Sequence, residues 1–368
     1  MLLPYAQWMY AWETRLNARD NNRVLRPLDW GVEWAKNWPC RNGCAQGNPE
    51  QIINHLNRRI LAHSDDFFAY RTPTSFQLDE LAFTPMGQRL PANDQPPSVI
   101  DRHSATVLRF RSAAPSPYPE NNTAYARWFP AQGDRAVVVL PQWNADEESH
   151  NDLCRIFSFL GIAALRLSLP YHDVRKPSEI ERADYAVSAN IARTIDAARQ
   201  AVIDARCCLD WLQEQGYRRL GIVGTSLGSC YAFITAAHEP RLSVCAFNHA
   251  STYFADVVWT GQSTRHIRTG IDGQIDLGRL RQAWLAISPM SYFDNFARYP
   301  RRSLVVYAKY DLTFLPEFSL QFIEECRRHG LDHEVSVLPC GHYSCGEFPF
   351  KYLDAYYLAR FVKKAFAV

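Results

Sequence analysis

The chain has 368 residues, a formal net charge of +2, 47% hydrophobic residues and 21% charged residues. That balance belongs to a folded protein with a large core and excludes global disorder. Near-neutral charge with no long basic run removes the electrostatic case for a nucleic-acid partner. The longest apolar runs, such as Ala136 to Leu140, are strand-sized and fall far short of the roughly 20 residues of a membrane-spanning helix. The first residues, Met1 to Trp8, lack the basic start and continuous apolar stretch of a secretory signal, so a cytoplasmic protein is expected. The ten cysteines fit no zinc-site spacing: Cys40 and Cys44 have no matching second pair, and Cys207 and Cys208 are adjacent on a predicted helix. Buried or free thiols are expected, with Cys340 and Cys345, which bracket His342, the pair to watch for a bridge.

The first hundred residues read as a helical extension. Leu2, Tyr5, Trp8, Met9, Trp12 and Leu16 recur at helical spacing, with Gln7, Glu13 and Arg15 between them. Trp30, Trp34 and Trp38 repeat every four residues, which places them on one helix face before Pro39 ends the run. The stripe predicts packing onto the main body; a dimer contact, a pocket wall and a membrane-surface anchor are the alternatives. A third helix is predicted from Pro49 to His63, and the Pro-rich stretch Pro85 to Ser98 reads as a linker or surface loop. The extension is assigned to residues 1–103.

From residue 104 the pattern alternates strand and helix. Ala105 to Arg111 and Thr123 to Phe129, joined by a Pro/Ser/Asn turn region, predict an antiparallel pair. Six short apolar strands follow: Ala136 to Leu140, Ala163 to Leu169, Leu220 to Val223, Val244 to Asn248, Leu304 to Ala308, and Glu334 to Leu338. Helices are predicted between them at Asn151 to Leu160, Val187 to Gln215, Leu227 to His238 and Pro316 to His329, with Tyr352 to Ala367 last. Eight strands of which six alternate with helices imply an α/β fold with a doubly wound, mainly parallel sheet. The stretch 251–300 is too long for a simple crossover, and a partial lid or a surface helix pair accounts for it.

The segment Gly221-Ile222-Val223-Gly224-Thr225-Ser226-Leu227-Gly228-Ser229 reads strand, sharp turn, helix, with Gly-x-Ser-x-Gly at the turn. Such a turn lifts a serine hydroxyl above the sheet, and the helix that starts there aims its amides at developing negative charge. A serine needs a base to take its proton. Past later strands come Lys309-Tyr310-Asp311 and Pro339-Cys340-Gly341-His342, in the order acid then histidine. His342 is the expected base and Asp311 its orienting carboxylate, with Asp256 the rival acid. The oxyanion hole needs two amides: Leu227 for one, and Trp143, with Gln142 as runner-up, for the other. Tyr171, His172, His249 and Trp259 are candidate pocket residues. Arg175 shares the Tyr171 loop, for which an ordinary hydrogen-bonded loop is the favoured reading.

Taken together, these residues resemble the alpha/beta-hydrolase superfamily over residues 104 to 368. The Gly-Thr-Ser-Leu-Gly turn, the Leu-Pro-Tyr-His-Asp-Val-Arg-Lys-Pro loop and the helical extension are similar to one branch of hydrolase-domain proteins. The loop around Trp143 departs from the His-Gly pattern common in the superfamily. The resemblance implies carboxylic-ester hydrolysis through an acyl-serine, with a small-molecule ester as partner and no metal or organic cofactor. An acyltransferase, thioesterase or amidase using the same three residues is the second reading. A non-catalytic scaffold whose Trp-rich segment binds a partner is the third, and a homodimer through that segment is compatible with each.

Overall fold

The computed structural model describes residues 4–41, 47–82 and 104–367. The predicted linker Pro85 to Ser98 and Cys44 lie outside the described residues. Helices α1 (Pro4–Asn17), α2 (Pro49–Ala62) and the short α3 (Ser64–Phe67) come first. Strands β1 (Phe76–Ala82), β2 (Ser104–Arg111) and β3 (Thr123–Phe129) follow as an antiparallel meander. Then β4 (Arg135–Leu140), β5 (Ala163–Leu167), β6 (Arg219–Thr225), β7 (Leu242–Asn248), β8 (Arg302–Ala308) and β9 (His333–Leu338) build a parallel sheet. Helix α4 (Asn151–Phe159) joins β4 to β5, α5 (Ile191–Glu214) joins β5 to β6, and α6 (Leu227–Ala237) joins β6 to β7. Four short helices, α7 (Phe254–Thr260), α8 (Arg265–Ile271), α9 (Leu277–Ala283) and α10 (Phe293–Ala297), lie between β7 and β8. Helix α11 (Pro316–Arg328) links β8 to β9, and α12 (Phe350–Ala365) follows β9.

The strand order is β1-β2-β3-β5-β4-β6-β7-β8-β9. The sheet has nine strands where the sequence pattern shows eight. The additional strand, β1, carries Gln77, Asp79 and Glu80 and sits at the edge, so it lacks the apolar signature of a strand buried on both faces. It also means that the expected helical extension contributes a strand to the sheet. The chain passes from β4 to β5 in one direction and from β5 back past β4 to β6 in the other. The loops after β4 and β6 therefore diverge at one carboxyl edge, the switch point where open α/β sheets place ligands.

Alternation along β4 divides the core. Ala136, Val138 and Leu140 face a layer containing α5 and α6, whereas Val137 and Val139 face α4 and α12. Among the described residues, no helix is long and apolar enough to cross a membrane.

The N-terminal aromatic residues depart from their predicted arrangement. Trp34 lies in a 3-10 helix, Val32–Asn37, rather than an α-helix, so the four-residue repeat does not gather the three rings on one face. Trp34 stacks on Tyr118, whereas Trp38 packs edge-on against Phe67 and donates its indole N–H to Asp196 at 2.8 Å. In α1 the buried face is Ala6, Met9, Glu13 and Leu16, and Trp8 is more than half exposed. A glutamate thus occupies the buried face, four residues after Met9 and three before Leu16.

Candidate active site

Ser226 stands between β6 and α6 with φ 57° and ψ −119°, a backbone conformation that a residue with a Cβ rarely holds. Its amide donates to the Asn248 carbonyl at 2.8 Å, and its carbonyl accepts the Ser229 hydroxyl at 2.7 Å. The two glycines of the motif have a packing reason. A Cβ on Gly224 would lie 2.2 Å from the Gly228 carbonyl oxygen, and one on Gly228 would lie 2.2 Å from the Leu140 carbonyl oxygen. Helix α6 can cross this closely over β4 and β6 only without those side chains.

Ser226, His342 and Asp311 are brought together as the sequence predicts. Ser226 Oγ lies 3.1 Å from His342 Nε2, and His342 Nδ1 lies 2.9 Å from Asp311 Oδ2. A carboxylate only accepts, so His342 carries its proton on Nδ1 and leaves Nε2 free to take the serine proton. Asp311 Oδ1 accepts the Thr313 and Phe314 amides, each at 2.7 Å. Burial alone would raise the Asp311 carboxyl; the charge and hydrogen bonds of His342 and His249 outweigh it and hold the group well below the usual carboxylate range. Burial likewise opposes the charged form of His342, but the charge of Asp311 and the hydrogen bond to it dominate and raise the imidazole above its ordinary value. The ring of Phe314 stacks on His342 with centroids 5.4 Å apart.

The rival acid, Asp256, is engaged elsewhere. Its carboxylate is paired with Arg281 at 2.5 and 2.8 Å, tying α7 to α9.

The loop after β4 holds the predicted oxyanion donors. Among the described residues, the amides of Gln142, Trp143 and Leu227 donate to no protein acceptor. The next amide, Asn144, donates to His172 Nε2 at 3.0 Å, and His172 Nδ1 donates to the Pro170 carbonyl at 2.8 Å. That pattern requires a neutral imidazole, and burial lowers His172 to about 4. The Trp143 indole donates to the Ala183 carbonyl at 2.9 Å and stacks on His266.

A cavity of about 600 Å³ opens over Ser226. Leu227, Cys230, Phe254, Val257 and Val258 make one side apolar; Asp152, Lys351 and Asp354 bring charge to the other. The insert between β7 and β8 thus covers part of the site through α7. His249 lines the cavity, whereas the other three candidate pocket residues, Tyr171, His172 and Trp259, do not. Tyr171 is fully buried against Tyr118 and Tyr185, and Trp259 packs under Arg268. Arg175 is also fully buried, paired with Asp204 at 2.8 Å. The loop from Pro170 to Pro177 is therefore a scaffold that anchors the Trp143 loop through His172.

Sequence reasoning missed two contributors. Glu13 of α1 is buried and accepts the Tyr343 amide at 2.9 Å and the Ser344 amide at 2.6 Å, bracing the loop that carries His342. A Cβ on Gly341 would collide with it. His150 approaches Thr225 Oγ1 at 2.9 Å beside the serine turn. A single charged residue facing the core side of a helix was the only signal available for Glu13. Cys340 and Cys345 are buried thiols joined by an S–H hydrogen bond, not a disulfide. Donor atoms of His249, Asp311 and His342 lie within 4.8 Å of one another, but both imidazole Nδ1 atoms are engaged with Asp311 Oδ2, a proton-bridged cluster rather than an open cation site.

Comparison with known proteins places this geometry. Residues 195–367 match the model of the prolyl oligopeptidase family. No curated protein matches the chain by sequence. Among solved structures, acetyl xylan esterase 1 from Thermoanaerobacterium sp. JW/SL YS485 aligns with a TM-score of 0.55 at 14% identity, over 92% of this chain and 99% of that one. An acetyl xylan esterase from Paenibacillus sp. R4 gives 0.54 at 12% identity, over 90% and 98%. Acylaminoacyl peptidase from Pyrococcus horikoshii gives 0.55 at 10% identity over 70% of this chain, which spans only 40% of that protein. At these identities the likeness is one of fold. The sheet order, the strained serine turn and the placement of acid and histidine after β8 and β9 agree with it, and the chain has the alpha/beta-hydrolase fold.

Proposed function

We propose that the protein is a serine hydrolase that cleaves carboxylic esters, with Ser226 as nucleophile. The observation that carries this reading is the continuous path from Ser226 Oγ through His342 to Asp311, at 3.1 and 2.9 Å. His342 Nε2 takes the serine proton as Oγ attacks the ester carbonyl, then returns it to the leaving alcohol. Asp311 holds the ring and stabilises the imidazolium. The amides of Leu227 and Trp143, with Gln142 as the alternative to Trp143, receive the developing oxyanion. Water then repeats the sequence on the acyl-serine.

A second reading, cleavage of an amide or peptide bond by the same residues, is favoured by the match to the prolyl oligopeptidase family. Ester cleavage is preferred because the two esterases align over nearly their whole length, whereas the peptidase aligns over 40% of its own. Turnover of p-nitrophenyl esters of graded chain length, beside the matching p-nitroanilides, separates the two. Ester turnover that falls on the order of 10⁴-fold or more in Ser226→Ala supports the proposal. Anilide turnover exceeding ester turnover would replace it with the peptidase reading.

A further inference from the structure

Asp311 serves two imidazoles. His249 Nδ1 lies 3.0 Å from Asp311 Oδ2, the same oxygen that His342 Nδ1 meets at 2.9 Å, and the two rings have centroids 4.6 Å apart. His249 is 1% exposed and sits directly after β7 at φ 57°. Its amide donates to the Val306 carbonyl at 2.8 Å, and its carbonyl accepts the Ser229 hydroxyl at 3.0 Å. Backbone strain of this kind persists only where surrounding contacts enforce it. Here those contacts lock the second ring onto the carboxylate.

We propose that His249 is a positioning residue of the hydrolytic site, a second imidazole that shares the Asp311 carboxylate with His342 and limits how much of its negative charge His342 can draw on. This rests on the hydrolase reading above. Asp311 accepts four hydrogen bonds, two from backbone amides on Oδ1 and two from imidazoles on Oδ2, which saturates both oxygens. Each N–H on Oδ2 diverts electron density from the other. Two imidazole donors on one oxygen divide its charge, so the stabilisation offered to His342 is less than an undivided carboxylate would give. The other groups that face the pair are Asp354 of α12, beside His249, and Glu13 of α1, which acts on His342; Cys345 faces Asp311. All three remain in the variants below.

The test compares the pH dependence of kcat/KM on a p-nitrophenyl ester for the wild type, His249→Phe and His249→Asn. Phenylalanine removes the competing donor; asparagine keeps an N–H at similar reach. The midpoint of the acid limb is expected to rise by about half a unit to one unit in His249→Phe and to return towards the wild-type value in His249→Asn. An unmoved midpoint in His249→Phe, whatever the rate, overturns the proposal. Proton NMR of the wild type supplies a readout independent of turnover and of variant folding. Two low-field imidazole N–H resonances are expected, and a single one overturns the sharing. If no ester is turned over, the ester reading fails while the NMR still decides the geometry.

Discussion

The Ser344 amide donates to Glu13 Oε1 at 2.6 Å across 331 residues of chain, and the Tyr343 amide takes the other oxygen at 2.9 Å. The loop that carries His342 is thereby fastened to the first helix. Tyr5 adds a bond from its hydroxyl to the Pro339 carbonyl, and Ser344 donates to Met9 Sδ at 3.4 Å. On the hydrolase reading, the N-terminal helix aims the base.

On that reading, replacing Glu13 is expected to affect catalysis at a distance. Glutamine offers one accepting oxygen for two amides, leaving a buried N–H unmatched at a cost of about 1–3 kcal/mol. For Glu13→Gln we expect kcat to fall about tenfold or more with little change in KM, because the base is displaced while the substrate cavity is intact. Steady-state kinetics on one ester checks this, and unchanged kcat would show that the loop holds His342 without α1.

The serine turn makes a prediction about stability. In Gly228→Ala the new methyl meets the Leu140 and Pro141 carbonyl oxygens at 2.2 and 2.5 Å, so α6 must move off β4. A loss of about 3 kcal/mol is expected. Gly346→Ala, where nothing lies within 4 Å, is the control and should stay within about 0.5 kcal/mol. Urea midpoints of the two variants decide it.

Activity should depend on pH through His342. The ring must be neutral to accept the serine proton, and its net shift is upward from 6.5, so kcat/KM should rise with pH through a midpoint above that value. Stability carries the signs that follow. The contribution of His342 is fully present below its unfolded value and fades as pH rises through the folded one; that of Asp311, held low, is present above its unfolded value near 3.8 and is lost as pH falls. A midpoint below 6.5 would contradict the geometry of the pair.

The two candidate acids should separate cleanly. Asp311→Asn removes the partner that orients His342, and kcat is expected to fall on the order of 10³–10⁴-fold. Asp256→Asn breaks the Arg281 pair between α7 and α9 and should lower the unfolding temperature while keeping kcat within about tenfold. The reverse ranking would move the acid to Asp256.

Much of this architecture was legible in the sequence for physical reasons. Strands buried on both faces advertise themselves as short apolar runs, which is why β4 to β8 fall where the pattern puts them; β9, at the other edge, leaves Val335 and Val337 exposed. Gly224 and Gly228 mark a close backbone crossing that permits no side chain. Edge strand β1 mixes Phe76 and Leu78 with three polar residues and leaves no such trace. The tryptophan repeat at Trp30, Trp34 and Trp38 shows that spacing alone cannot distinguish an α-helix from a short 3-10 turn. Tyr171 and Trp259 were placed in the pocket because their loops reach the right sheet edge; the first turns into the core and the second packs under an arginine. Glu13 was hidden because its partners are backbone amides, which every sequence possesses and none reveals.

Ser226 stands as a nucleophile activated by His342 in the proposed reaction. The most direct measurement of that role is covalent labelling with a fluorophosphonate, with the adduct located by peptide mass spectrometry. One adduct is expected, on Ser226, lost in Ser226→Ala and slowed strongly in His342→Ala. An adduct on another residue, or no labelling of the folded wild type, would contradict it.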